Sequence, residues 1–113
     1  MTDVRIDYLE LPGANIPASK RFYSEVFGWK FTDYGPNYVA FEAQKVGGGF
    51  NAERKVAERS GPLVIFYSED LSGMEAKVRS AGGKIVHRHE FPGGRRFHFL
   101  DPGGNELAVW TDK

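Results

Sequence analysis

The chain has 113 residues, 41% hydrophobic and 27% charged, a size and composition that suit one hydrophobic core and exclude disorder. Fifteen Lys and Arg balance fifteen Asp and Glu, so no general positive field exists to hold nucleic acid or an anionic membrane. Cysteine is missing, which removes disulfides, thiol nucleophiles and thiolate metal sites together.

A local basic cluster at Arg88, Arg95 and Arg96 reads as a solvated strand end rather than a phosphate grip. The start, MTDVRID, is charged from its third residue, and no apolar run reaches spanning length. The expectation is therefore a cytoplasmic protein without nucleic-acid or membrane partners.

Val4 to Leu11 alternates as a strand, with Asp7, Leu9 and Leu11 on one face and Ile6, Tyr8 and Glu10 on the other. Pro12-Gly13 ends it. Asn15 suits an N-cap and Pro17 a first turn, so a helix runs to about Phe27 with Phe22, Val26 and Phe27 as its apolar stripe, and Gly28 closes it. Short strands follow from Trp29 to Thr32, from Tyr38 to Glu42 and from Val46 to Phe50, with a break at Tyr34-Gly35-Pro36-Asn37.

Asn51 to Ser60 is charged and reads as an exposed connector. Leu63 to Tyr67 is a nearly continuous apolar strand. Asp70 or Ser72 can cap a second helix carrying Met74, Ala76, Val78 and Ala81, which stops at Gly82-Gly83. Two strands, Lys84 to His89 and Arg95 to Leu100, lead into the reversal at Asp101-Pro102-Gly103-Gly104-Asn105. There Asp101 can accept backbone hydrogen bonds and the glycines permit a tight turn. The return strand runs from Glu106 to Trp110.

Both halves share one order: strand, helix ending in glycine, three strands. The predicted fold is α+β, one domain over residues 1–113, built of two βαβββ modules at about 3–52 and 61–111. Such modules form a curved mixed sheet around a cleft, with helices outside.

This layout resembles the vicinal oxygen chelate superfamily, on RFYSEVFGW after the first strand, AKVRSAGGKIV at the second helix and DPGGNEL at the last turn. The superfamily includes glyoxalase I, extradiol dioxygenases, and bleomycin- and fosfomycin-resistance proteins, and the match looks closest to small bacterial glyoxalase-like proteins. The resemblance covers nearly the whole chain and implies the fold more firmly than any reaction. Relatives commonly pair, so a homodimer is the implied assembly.

In metal-dependent relatives, side chains on the first, fourth, fifth and eighth strands hold a divalent ion. The positions that match here are Tyr8, the stretch Val46 to Phe50, Val64 and Ala108. One phenol among apolar and glycine positions leaves too few protein contacts to offset the ion's dehydration, so the expectation is no metal and no cofactor. Glu106 shares a face with Ala108 but stands two residues away, about 7 Å along the strand.

His87 and His89 alternate onto one face, and His98 can join them from the neighbouring strand, which makes three imidazoles the rival metal site. The favoured reading puts the first two on a polar outer face. Glu10, His98 and Glu106 are the acid–base candidates. Tyr8, Glu10, Phe50, Val64, Phe66, His98, Ala108 and Trp110 are the expected lining of a binding cleft. The expected function is metal-independent binding of a small, partly aromatic or apolar organic molecule. The alternative is a divergent superfamily enzyme, resembling lactoylglutathione lyase, an isomerase or a dioxygenase, that uses non-standard residues.

Overall fold

The computed structural model describes residues 6–43, 45–56 and 62–113. Val4 and Arg5 of the expected first strand, and residues 57–60 of the charged connector, lie outside the described residues. The elements are β1 (Tyr8–Pro12), α1 (Ile16–Phe27), β2 (Lys30–Asp33), β3 (Tyr38–Glu42), β4 (Gly47–Asn51), β5 (Ile65–Tyr67), α2 (Leu71–Ser80), β6 (Lys84–Phe91), β7 (Gly94–Leu100) and β8 (Glu106–Thr111). The order βαβββ occurs twice, so the α+β class and the modular repeat stand as the sequence implies.

Local chemistry fixes the helix limits. The Asn15 side chain accepts a hydrogen bond from the Ala18 amide at 3.1 Å, Pro17 lies in the first turn, and Gly28 ends α1 with φ of 72°. Of the two caps the sequence offers for α2, Asp70 serves, accepting from the Gly73 amide at 3.0 Å.

Each module contributes a four-stranded mixed sheet, ordered β1-β4-β3-β2 in the first and β5-β8-β7-β6 in the second. The pairs β1·β4 and β5·β8 are parallel and the others antiparallel. Strand alternation gives each sheet one face toward the helices and one open face. On the helix side Phe22, Tyr23 and Val26 of α1 join Val39, Phe41 and Phe50 of the first sheet. Leu71 and Val78 of α2 join Phe97, Phe99, Leu107 and Val109 of the second, and all twelve form a single cluster. Each fully buried aromatic or aliphatic side chain there contributes about 1.5–3 kcal/mol relative to exposure.

Candidate functional site

Three expected cleft residues belong to the core instead. Phe50 is fully buried, with its ring centroid 5.1 Å from that of Tyr23. Phe66 stacks on Phe27 at 4.4 Å, and Val64 packs against the same cluster. The register explains the displacement. Ile65 and Tyr67 pair with Ala108 and Trp110, so the residues between them, like Val109 opposite Phe66, point toward the helices. Ile65 therefore takes the open-face position expected of Val64.

The remaining candidates occupy open faces and form two groups. On the first sheet, Tyr8 of β1 and Tyr38 of β3 lean toward each other over Gly49 of β4, and their hydroxyls meet at 2.6 Å. Burial, then the bond to Tyr8, raises the Tyr38 phenol above its ordinary value, with Glu10 adding to the rise. Glu10 accepts from the Asn51 amide group at 3.3 Å and lies 3.7 Å from the Arg54 guanidinium.

On the second sheet, pairing sets out two rows across the strands. Ile65, Ala108, His98 and His87 form one; Tyr67, Trp110, Arg96 and His89 form the next. Ala108 is on this face yet covered, because its methyl sits between larger neighbours in its row. His98 is 5% exposed, and its Nδ1 lies 2.8 Å from Oε2 of Glu106. Its Nε2 is buried with no hydrogen-bond partner. The three imidazoles do come together, with centroids 4.0 Å apart for His87–His89, 5.2 Å for His87–His98 and 5.7 Å for His89–His98. Desolvation, then the neighbouring His87, Arg96 and His98, lowers the His89 pKa and favours its neutral form.

Beside this cluster lies a shallow depression of about 300 Å³, lined by Ile65, Phe91, Arg96 and Trp110. The sequence reading missed Ile65, Phe91 and Arg96 there. Phe91 extends β6 two residues beyond its expected end, and only the register reveals that it shares a face with Trp110.

The family profile of the Glyoxalase/Bleomycin resistance protein/Dioxygenase superfamily matches residues 5–109, and the chain belongs to this superfamily. No curated protein matches it. Among solved structures, it is similar to a glyoxalase/bleomycin resistance protein/dioxygenase family enzyme from Burkholderia phytofirmans PsJN at 19% identity and a TM-score of 0.81, covering 97% of this chain and 100% of that one. Lactoylglutathione lyase from Agrobacterium tumefaciens gives 20% and 0.74, with 97% and 95% covered. Fosfomycin resistance protein FosX from Mesorhizobium loti gives 18% and 0.76, with 98% and 93% covered. Identities this low speak for the fold alone.

The metal implied by the superfamily does not fit its usual positions here. Tyr8, the glycines of β4, Ile65 and Ala108 offer one phenol, itself hydrogen-bonded to Tyr38, and no imidazole or carboxylate.

Proposed function

We propose that this chain binds a small, flat, largely apolar organic molecule with an anionic group on the open face of the second sheet, without a metal at the superfamily's usual position. The depression formed by Ile65, Phe91, Trp110 and Arg96 carries this reading. Its size falls at the small end of ligand sites, and its composition follows their usual plan of apolar walls with one polar anchor. Trp110 and Phe91 supply flat contact, their centroids 6.4 Å apart. Arg96 supplies the charge: its guanidinium carbon stands 5.9 Å from the Phe91 centroid, and its Nε lacks a protein partner.

Titration of tryptophan fluorescence with a series of aromatic carboxylates, in the presence of a chelator, tests the proposal. The expected result is saturable quenching by at least one compound, lost in Trp110→Ala and weakened about 10-fold or more in Arg96→Ala, as for loss of a charge-assisted contact. Quenching that never saturates, or that survives Trp110→Ala, would sink the reading.

The 2.8 Å His98–Glu106 contact supports a second reading, a divergent lyase, isomerase or dioxygenase in which the imidazole and carboxylate act as an acid–base pair, with Glu10 as a further candidate. Turnover of a superfamily substrate that falls at least 100-fold in Glu106→Gln is its expected signature. The proposal also takes the protein as cytoplasmic and paired as a homodimer. The exposed Ile6 and Tyr8 of the first module support the pairing. Among the described residues no helix is long and apolar enough to cross a membrane.

A further inference from the structure

We infer that His87, His89 and His98 form a binding site for a borderline divalent transition-metal ion of the Zn²⁺ class, away from the superfamily's usual metal position and beyond the organic-ligand reading above. His87 and His98 are direct cross-strand partners on β6 and β7, and His89 is next but one along β6 on the same face. Two imidazoles at i and i+2 on one strand, with a third opposite, place three ligands on one side of a point above the sheet. Imidazoles about 2.0–2.1 Å from a tetrahedral ion have ring centroids roughly 5 Å apart. The observed separations of 5.2 and 5.7 Å from His98 lie near that spacing.

His98 carries the second observation. It is 95% buried, yet its Nε2 has no hydrogen-bond partner, an arrangement that costs stability unless something occupies it. Glu106 holds Nδ1 at 2.8 Å. A carboxylate accepting from Nδ1–H leaves Nε2 as the free lone pair, and this imidazole–carboxylate pairing is the usual support behind a metal-bound histidine.

Among the described residues, no group of three His, Asp or Glu side chains could hold a metal ion with the side chains where they stand. The ion must therefore complete the site by drawing the exposed His87 and His89 rings onto Nε2 of the fixed His98. The 4.0 Å His87–His89 separation shows that these two rings have to part as they do so. The nearby Arg96 cation opposes the ion and the Glu106 carboxylate offsets it. Three neutral histidines leave a fourth position for water, and neutral nitrogen donors select Zn²⁺, Ni²⁺ or Cu²⁺ over Mg²⁺ or Ca²⁺.

Calorimetric titration of the full, untagged chain with Zn²⁺, repeated with Mg²⁺, tests the inference. We expect one Zn²⁺ per chain and no Mg²⁺ binding, with proton release as pH falls toward the imidazole range. His89→Ala alters an exposed side chain and should leave the circular dichroism unchanged while weakening Zn²⁺ at least 100-fold. Glu106→Gln should weaken it about 10- to 100-fold. Absence of stoichiometric Zn²⁺, or unchanged affinity in His89→Ala, overturns the site. So does unchanged affinity in a folded His98→Ala variant, which would reduce it to surface chelation by the His87–His89 pair. Organic-ligand quenching is measured with chelator present, so either idea can fail without the other.

Discussion

Asp101 is 4% exposed and gathers the turn between β7 and β8 around itself. Oδ1 accepts from the amides of Gly103 at 3.0 Å and Asn105 at 2.8 Å, and Oδ2 from the Tyr23 hydroxyl and the Asn105 side chain, each at 2.9 Å. Asn105 also donates to the Pro12 carbonyl at 2.7 Å, which ties the second module's turn to the start of the first. Tyr23→Phe removes one charge-assisted bond to a buried carboxylate, and a loss of about 1.5–3 kcal/mol in urea denaturation is expected. Burial raises the Asp101 pKa, outweighing its hydrogen bonds, and burial followed by the Asp101 charge raises that of Tyr23. Both groups therefore bind their protons more tightly in the native state. Their contribution to stability is present at low pH and declines as pH rises, for Asp101 above the ordinary carboxyl value and for Tyr23 above 10.0. Denaturation across the alkaline range should show that second decline in the native sequence and a smaller one in Tyr23→Phe, where the raised Tyr38 and Tyr67 phenols remain.

Among the strands, legibility followed side-chain contrast. The helix caps were readable because Asn15, Pro17, Gly28 and Asp70 act through bonds to their own turns. Tyr8 and Glu10 share a face in the sequence because β1 alternates. Leu63 to Tyr67 is apolar at every position, so nothing in the sequence told Val64 and Phe66 from Ile65 and Tyr67. Phe50 follows three glycines that offer no contrast at all. The histidine cluster depended on register, which shifts between Ile85 and His87 and is not written in either strand alone. The β4 glycines also differ among themselves. A Cβ at Gly48 would meet the Phe41 ring and the Leu9 backbone carbonyl, neither free to move, so Gly48→Ala should cost about 1–3 kcal/mol in a denaturant melt. The atoms nearest a Cβ at Gly49 would be the outer ends of Tyr8 and Tyr38. Gly49→Ala should therefore break the hydroxyl pair at smaller cost, seen as a fall in the alkaline tyrosine titration with little change in melting.

At the scale of the molecule, the two sheets depend on one interior. Phe27 of α1 stacks on Phe66 of the second module, and Phe22 reaches Phe99 at 5.9 Å. Neither module can lose its packing without exposing the other's. The expected outcome is a single cooperative unfolding transition. Trp29 and Trp110 report on opposite modules, so single-tryptophan variants should melt at coincident midpoints. Phe99→Ala, at a fully buried position shared by both, should lower stability by about 3–5 kcal/mol and shift both reporters together. The open faces have a practical consequence of their own. Ile65, Tyr67, Phe91 and Trp110 stay accessible in the folded state, so an environment-sensitive dye that reports unfolding by lighting up on greasy surfaces will already glow with the native protein. Melting curves recorded that way would start from a high baseline, which makes intrinsic tryptophan emission or calorimetry the sounder gauge of its stability.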